Sequence, residues 1–111
     1  MPEMTLKEKQ VRFSQLLGVL LVWVYSHPGW ELTLGEGQVD SKTGHMVGSL
    51  HYIRLAQDLN LFVGGQYITG QHPVWDAIGA FWVSLDPLCR WGGNFASRDY
   101  NHISLEHGGK A

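Results

Sequence analysis

The longest apolar run of the sequence, residues 16–25, constrains the fold most, because its side chains must be buried. It ends a segment whose apolar residues recur at helical spacing: Val11, Phe13, Leu16, Leu17, Leu20, Leu21 and Val24. Thr5 and Glu8 have the spacing of a capping box, and His27-Pro28-Gly29 is typical of a helix end. We therefore predict a buried helix over Leu6–Ser26. The run is too short to cross a bilayer and lacks a small-x-small cleavage site, so we expect neither a stable membrane insertion nor a signal peptide.

Length and charge limit the class of protein. The chain has 111 residues, which suits one domain with one hydrophobic core. Its 8 Lys and Arg against 10 Asp and Glu form no basic run, so nucleic acid is not an expected partner. The single cysteine, Cys89, allows neither an internal disulfide nor a multi-cysteine metal site. We predict a single monomeric domain over residues 1–111, with residues 106–111 as a frayed tail.

The remaining segments predict an α+β fold with a small antiparallel sheet packed against helices. Apolar and polar residues alternate in two segments, and a Gly-Gly pair is typical of a hairpin turn. A proline opens a second helical pattern that ends near Asp86. The predicted elements after the first helix are strands at Trp30–Leu34, Gln57–Val63 and Gln66–Ile68, a helix from Pro73 to Leu85, a loop at Trp91–Asn94, and a strand at Asn101–Leu105, with a loop at Val39–Gly48 before the second strand.

Two histidines and two aspartates form the group with the most specific chemistry. Imidazole and carboxylate are zinc ligands, and a catalytic zinc site has three protein ligands and one open position. His51, Asp58 and His102 supply two nitrogens and one oxygen, and Asp58 falls on the polar face of its predicted strand. Asp99 lies three residues before His102, so its carboxylate can accept a proton from a water that the metal activates. On spacing alone, ordinary hydrogen-bonded side chains explain these residues about as well.

These segments resemble the zinc D,D-carboxypeptidase and L-alanyl-D-glutamate endopeptidase family of cell-wall enzymes, which includes many phage endolysins. The family pattern is Ser-x-His, then Asp seven positions after that His, then Glu or Asp-x-x-His near the C-terminus. This chain has Ser49-Leu50-His51, Asp58 and Asp99-Tyr100-Asn101-His102. Arg54–Phe62 and Arg90–Gly93 are similar to the phage members in particular. The resemblance runs from about Leu6 to Leu105.

The resemblance implies a fold, a site and an activity. It implies His51, Asp58 and His102 as Zn²⁺ ligands, Asp99 as the catalytic carboxylate, and the α+β fold of Hedgehog signalling domains and D,D-peptidases. The expected activity is that of a zinc metallopeptidase that cleaves a stem peptide of bacterial peptidoglycan, and the phage-like segments favour an endolysin cutting between L-alanine and D-glutamate. Such an enzyme is expected in the cytoplasm of the infected bacterium before it reaches the cell wall or periplasm. The alternatives are a D-Ala-D-Ala carboxypeptidase and a non-catalytic zinc-binding domain that recognises cell wall.

Other residues are candidates for secondary roles at this site. Ser49, Arg54 and Trp91 are candidates for contacting substrate or for orienting the ligands. The arginine that the family carries after the first strand is replaced by Gln38, and Arg54 is a candidate to compensate for it. Cys89 follows the end of an apolar helix, so we interpret it as a buried, unreactive thiol rather than a nucleophile.

Overall fold

A computed structural model of the protein describes residues 4–35 and 50–111. These residues form a small α+β domain with two α-helices and an antiparallel sheet, as the sequence predicts. In chain order the elements are α1 (Leu6–Tyr25), β1 (Trp30–Leu34), a 3-10 turn (Leu50–Ile53), β2 (Ala56–Val63), β3 (Gln66–Ile68), α2 (Pro73–Ser84), β4 (Cys89–Trp91), a second 3-10 turn (Gly92–Asn94) and β5 (His102–Leu105).

Helix α1 begins and ends where local chemistry predicts. The Glu8 amide donates to Thr5 Oγ1 at 3.2 Å, and the Thr5 amide donates to Glu8 Oε1 at 2.8 Å, which completes the capping box. Ser26 is the C-cap, so the predicted bounds of the helix are confirmed to within one residue. The expectation that the whole apolar run is buried is wrong, because Val19, Val22 and Tyr25 are exposed on the face away from the core. The buried residues of α1 recur at helical spacing: Lys9, Phe13, Leu16, Leu20 and Val24. This stripe places α1 against the sheet.

Strand β2 is the centre of the sheet. The strand order is β1-β2-β5-β4, and β3 also pairs with β2. Strand β1 occupies one edge of β2, and both β5 and β3 pair with the opposite edge. There β5 covers residues 56–58 and β3 covers residues 61–63. The edge is therefore shared by two short strands that leave residues 59 and 60 between them.

The two faces of the sheet have different roles. Along β2, Leu59 and Leu61 are fully buried in the hydrophobic core, while Asp58 and Asn60 point to the other face. Residue 57 lies on the same face as Leu59 and Leu61, because side chains alternate along a strand. Ile103 of β5 pairs with residue 57 and therefore lies on the core face as well. The helices cover the core face, and Asp58, Asn60 and His102 lie on the opposite one.

One strand differs from the sequence prediction. The segment Cys89–Trp91 is strand β4, whereas we expected a helix end followed by a loop from Trp91. Arg90 pairs with Ser104 and Trp91 with Ile103, and the Trp82 indole donates to the Arg90 carbonyl at 3.0 Å. A strand of three residues is too short to show alternation, so its pairing with β5 determines its structure.

The other differences from the predicted elements are shifts of one residue. Strand β2 begins at Ala56 rather than residue 57, and β5 begins at His102 rather than residue 101. The predicted loop at Val39–Gly48 lies outside the described residues. In the segment interpreted as a frayed tail, the Glu106 amide donates to the Leu88 carbonyl at 2.8 Å, and His107 forms a bridge with Lys110.

Alanine substitutions at the two helical glycines should have opposite effects on the stability of the domain. A Cβ at Gly79 in α2 would overlap the indole ring of Trp91, whereas nothing lies within 4 Å of a Cβ at Gly18 in α1. Gly79→Ala should lower the free energy of unfolding by about 1–3 kcal/mol through overpacking. Gly18→Ala should raise it by about 0.5–1 kcal/mol, because alanine loses less backbone entropy in a helix. Urea unfolding followed by circular dichroism measures both, and equal effects would contradict the packing.

Candidate metal centre

Strand pairing brings two of the candidate ligands together. Asp58 and His102 are direct partners in the β2–β5 ladder, so their side chains leave the sheet on the same face. His51 comes from the 3-10 turn before β2, which the Leu55 amide closes by donating to the Leu50 carbonyl at 3.0 Å. Arg54 has a positive φ of 59°, and this left-handed residue links the turn to β2. The turn therefore places His51 over the pair in the ladder.

The three side chains converge on one point. His51 Nε2 lies 3.3 Å from Asp58 Oδ1, and His102 Nδ1 lies 3.7 Å from the same oxygen. Each residue offers one ligand atom, and these atoms lie within 4.8 Å of one another. Within residues 4–35 and 50–111, this is the one group of three or more histidine, cysteine or acidic side chains with such an arrangement.

The spacing and chemistry of these atoms fit a metal ion. Two ligands bound to one tetrahedral ion at about 2.0–2.2 Å lie about 3.3–3.6 Å apart, close to the observed separations. Asp58 Oδ1 is buried and has no hydrogen-bond partner, and the same is true of His102 Nε2. A buried carboxylate oxygen is unfavourable unless positive charge or a donor faces it, and a metal ion between the three side chains would supply that charge. The His51–Asp58–His102 group can therefore hold a metal ion.

Electrostatics keeps the acidic ligand ionised. Burial acts to raise the pKa of Asp58, but the facing imidazole rings of His102 and His51 outweigh it and lower this pKa to about 2. At neutral pH Asp58 is thus an anion, and a divalent ion held by it and two neutral imidazoles would keep a net positive charge. When bound, such an ion would supply a Lewis acid at this face of the sheet.

Asp99 belongs to the turn that leads into β5. The His102 amide donates to the Asp99 carbonyl at 3.1 Å, and the Asp99 amide donates to the Gly92 carbonyl at 2.9 Å. A Cβ at Gly92 would overlap the Asp99 carbonyl, so the turn needs a glycine there. The Asp99 side chain is exposed and lies outside the three-residue group. It lines a neighbouring cavity of about 360 Å³.

The other candidates occupy different surroundings. Trp91 is buried in the hydrophobic core, and its indole donates to the Tyr100 carbonyl at 2.8 Å, which supports the same turn. Arg54 is exposed beside the 3-10 turn that carries His51. Ser49 and Gln38 lie outside the described residues, so their predicted roles stay predictions.

Gly92 supports this site in a way that its sequence context did not predict. Its carbonyl accepts from the amides of Phe95 and Asp99, and the Phe95 ring lies 5.4 Å from the His102 ring between centroids. The signal was the Trp-Gly-Gly run, which we interpreted only as a loop. The first glycine of that run is needed because a Cβ there would overlap the Asp99 carbonyl.

Comparison with known proteins adds no assignment: no protein-family model and no curated protein matches the chain. Among the described residues, neither helix is both long enough and apolar enough to cross a membrane.

Removal of any one ligand should weaken metal binding sharply. We expect the metal-free protein to bind one Zn²⁺. His51→Ala, Asp58→Asn and His102→Ala should each lower the zinc affinity at least about 100-fold, because loss of a residue that only hydrogen-bonds to a ligand already lowers metal affinity about 10–100-fold. Competition with a chromogenic chelator measures these affinities. His27→Ala is the matched control, because His27 stacks on Trp30 and is not in the group. A ligand variant with unchanged affinity would contradict the site.

Cys89 should be unreactive in the folded protein. Burial raises the pKa of this thiol to about 12, so almost no thiolate exists at neutral pH. Labelling with a disulfide reagent at pH 8 should follow the rate of unfolding and become fast in urea. Fast labelling of the native protein would contradict the burial of Cys89.

Proposed function

We propose that this protein is a zinc-dependent hydrolase that cleaves the stem peptide of bacterial peptidoglycan, between L-alanine and D-glutamate. The convergence of His51 Nε2 and His102 Nδ1 on Asp58 Oδ1, at 3.3 and 3.7 Å, carries this proposal. Two imidazoles and one carboxylate are a ligand set that zinc prefers. Structural zinc sites usually have four protein ligands, whereas three leave a position for reacting groups. The described group has three.

The resemblance to the zinc peptidases of the cell wall supports the choice of substrate. The motif of that family covers the three members of the group, His51, Asp58 and His102. It also places an acid three residues before the last histidine, and in this chain that acid is Asp99. We propose that the α+β domain is of the Hedgehog and D,D-peptidase type, with its ligands on β2, β5 and the turn before β2. The small size of the observed domain is compatible with such a fold.

The chain's own residues divide the work of the reaction. Zinc, when bound, supplies a Lewis acid that makes water more acidic and polarises a carbonyl group. His51, Asp58 and His102 hold the ion on the polar face of the sheet. Asp99 accepts a proton from the attacking water at its carboxylate and donates it to the leaving amine, while a C–O bond forms and the C–N bond breaks. Its exposure gives it access to water and to the neighbouring cavity.

Purified sacculi test the proposed activity. The zinc-loaded protein should release fragments with new L-alanine carboxyl ends and new D-glutamate amino ends, as mass analysis would detect, and EDTA should stop the release. Free D-alanine instead would show a D-Ala-D-Ala carboxypeptidase. Binding to sacculi without any release would indicate a non-catalytic cell-wall-binding domain and would contradict the proposed hydrolase.

Asp99→Asn should separate metal binding from turnover. The amide cannot accept the proton, so kcat should fall at least about 100-fold while zinc affinity stays within a few-fold of the original. Glu31→Gln is a matched control, since Glu31 is an exposed acid on β1. Full activity of Asp99→Asn would remove Asp99 from the mechanism, and loss of zinc would show that it acts as a ligand.

A further inference from the structure

The edge of β2 leaves a gap between its two neighbours. Strand β5 ends its pairing at Asp58 and β3 begins at Leu61, so residues 59 and 60 have no strand partner on that edge. The Leu59 amide instead donates to the Asn101 carbonyl, at 2.9 Å, in the turn before β5. A cavity of about 360 Å³ lies at this gap, between the end of β3 and that turn.

The cavity and the candidate metal centre use neighbouring residues of the same two chain segments. Two of the cavity's lining residues, Leu59 and Asn101, are the chain neighbours of Asp58 and His102. Asp99, the proposed proton acceptor, lines it as well. The three ligands themselves do not line the cavity, so a peptide that fills it would lie beside the ligand group, against Asp99. Aromatic side chains of Tyr67, Trp75 and Tyr100 complete the walls that such a peptide would contact.

The charged side chains that line the cavity indicate which kind of ligand it can bind. Arg98 and Asp99 are the charged residues among those that line it. Arg98 is exposed and has no carboxylate within ion-pair distance among the described residues. A guanidinium is always protonated in proteins, and hydrogen bonding with Tyr100 raises the pKa of Arg98 further. With five N–H donors, it can contact Tyr100 and still bind an anionic group of a ligand.

We infer that this cavity receives the residue after the scissile bond and that Arg98 recognises a free carboxylate on that residue. The inference rests on the proposed function. In a γ-linked glutamate, the α-carboxylate is free and stands beside the nitrogen that leaves. A guanidinium binds such a carboxylate through two parallel hydrogen bonds, whereas a carboxamide offers one acceptor and no charge. The protein should therefore prefer stem peptides whose D-glutamate is not amidated.

Two pairs of synthetic stem peptides test this preference. Within each pair the D-glutamate α-carboxylate is either free or a carboxamide; one pair is cleavable, and the other has its scissile amide replaced by an ethylene group. Calorimetry with the zinc-loaded protein and the uncleavable pair should give an affinity about 3- to 10-fold higher for the carboxylate, a modest factor because water screens an exposed guanidinium.

Variants of Arg98 should remove this difference selectively. Arg98→Gln should lower the affinity for the carboxylate peptide to the value for the carboxamide peptide. The affinity for the carboxamide peptide should change by no more than about twofold. In Arg98→Lys the affinity for the carboxylate peptide should lie between those of the original protein and Arg98→Gln. Zinc affinity and Tm should not change, because Arg98 is exposed and outside the ligand group. Lys7→Gln, which removes an exposed charge on α1, is the control and should keep the preference.

The outcomes separate this inference from the proposed function. Equal affinities, binding of neither peptide, or a preference that survives Arg98→Gln would overturn the role of Arg98. Hydrolysis of both cleavable peptides at equal rates would overturn it as well while supporting the hydrolase. An Arg98-dependent preference without any hydrolysis would support the carboxylate subsite and contradict the proposed reaction.

Discussion

The pairing of β2 with β5 is the interaction on which the candidate metal centre depends. Asp58 and His102 are opposite each other in a ladder of three residue pairs. A slip of one residue would move every side chain of β5 to the other face, so the register must be held firmly. Ile103 and Leu105, both fully buried, hold it from the core side. Apolar packing on one face of the sheet thus fixes the distance between ligands on the other.

The core also supports the turn that precedes β5. The indole of Trp91 packs against Gly79 of α2 and donates to the Tyr100 carbonyl, so the turn is tied to a helix on the far side of the sheet. The Gly92 carbonyl accepts from the Asp99 amide within the same turn. Asp99 and His102 therefore have a common support. A change in α2 at Gly79 would act on the site through Trp91 rather than by direct contact.

Local chemistry predicts most of the fold but not the contacts of the site. The capping box at Thr5 and Glu8 and the Gly64-Gly65 turn encode their structures within a few residues, and both appear as predicted. Strand β4 was missed, because three residues carry no periodic pattern and its structure comes from pairing with β5. The residue types of the site follow from metal chemistry and from the family resemblance. Their separations depend on strand register and on the turn at His51, which link distant parts of the chain.

X-ray absorption at the zinc edge of the loaded protein identifies the atoms that bind the ion. We expect a first shell of nitrogen and oxygen atoms at about 2.0–2.1 Å, with outer-shell scattering from two imidazole rings and no sulfur. In His102→Ala the imidazole scattering should fall by about half. A fully hydrated ion without imidazole scattering, or a sulfur ligand at about 2.3 Å, would contradict the metal centre at His51, Asp58 and His102.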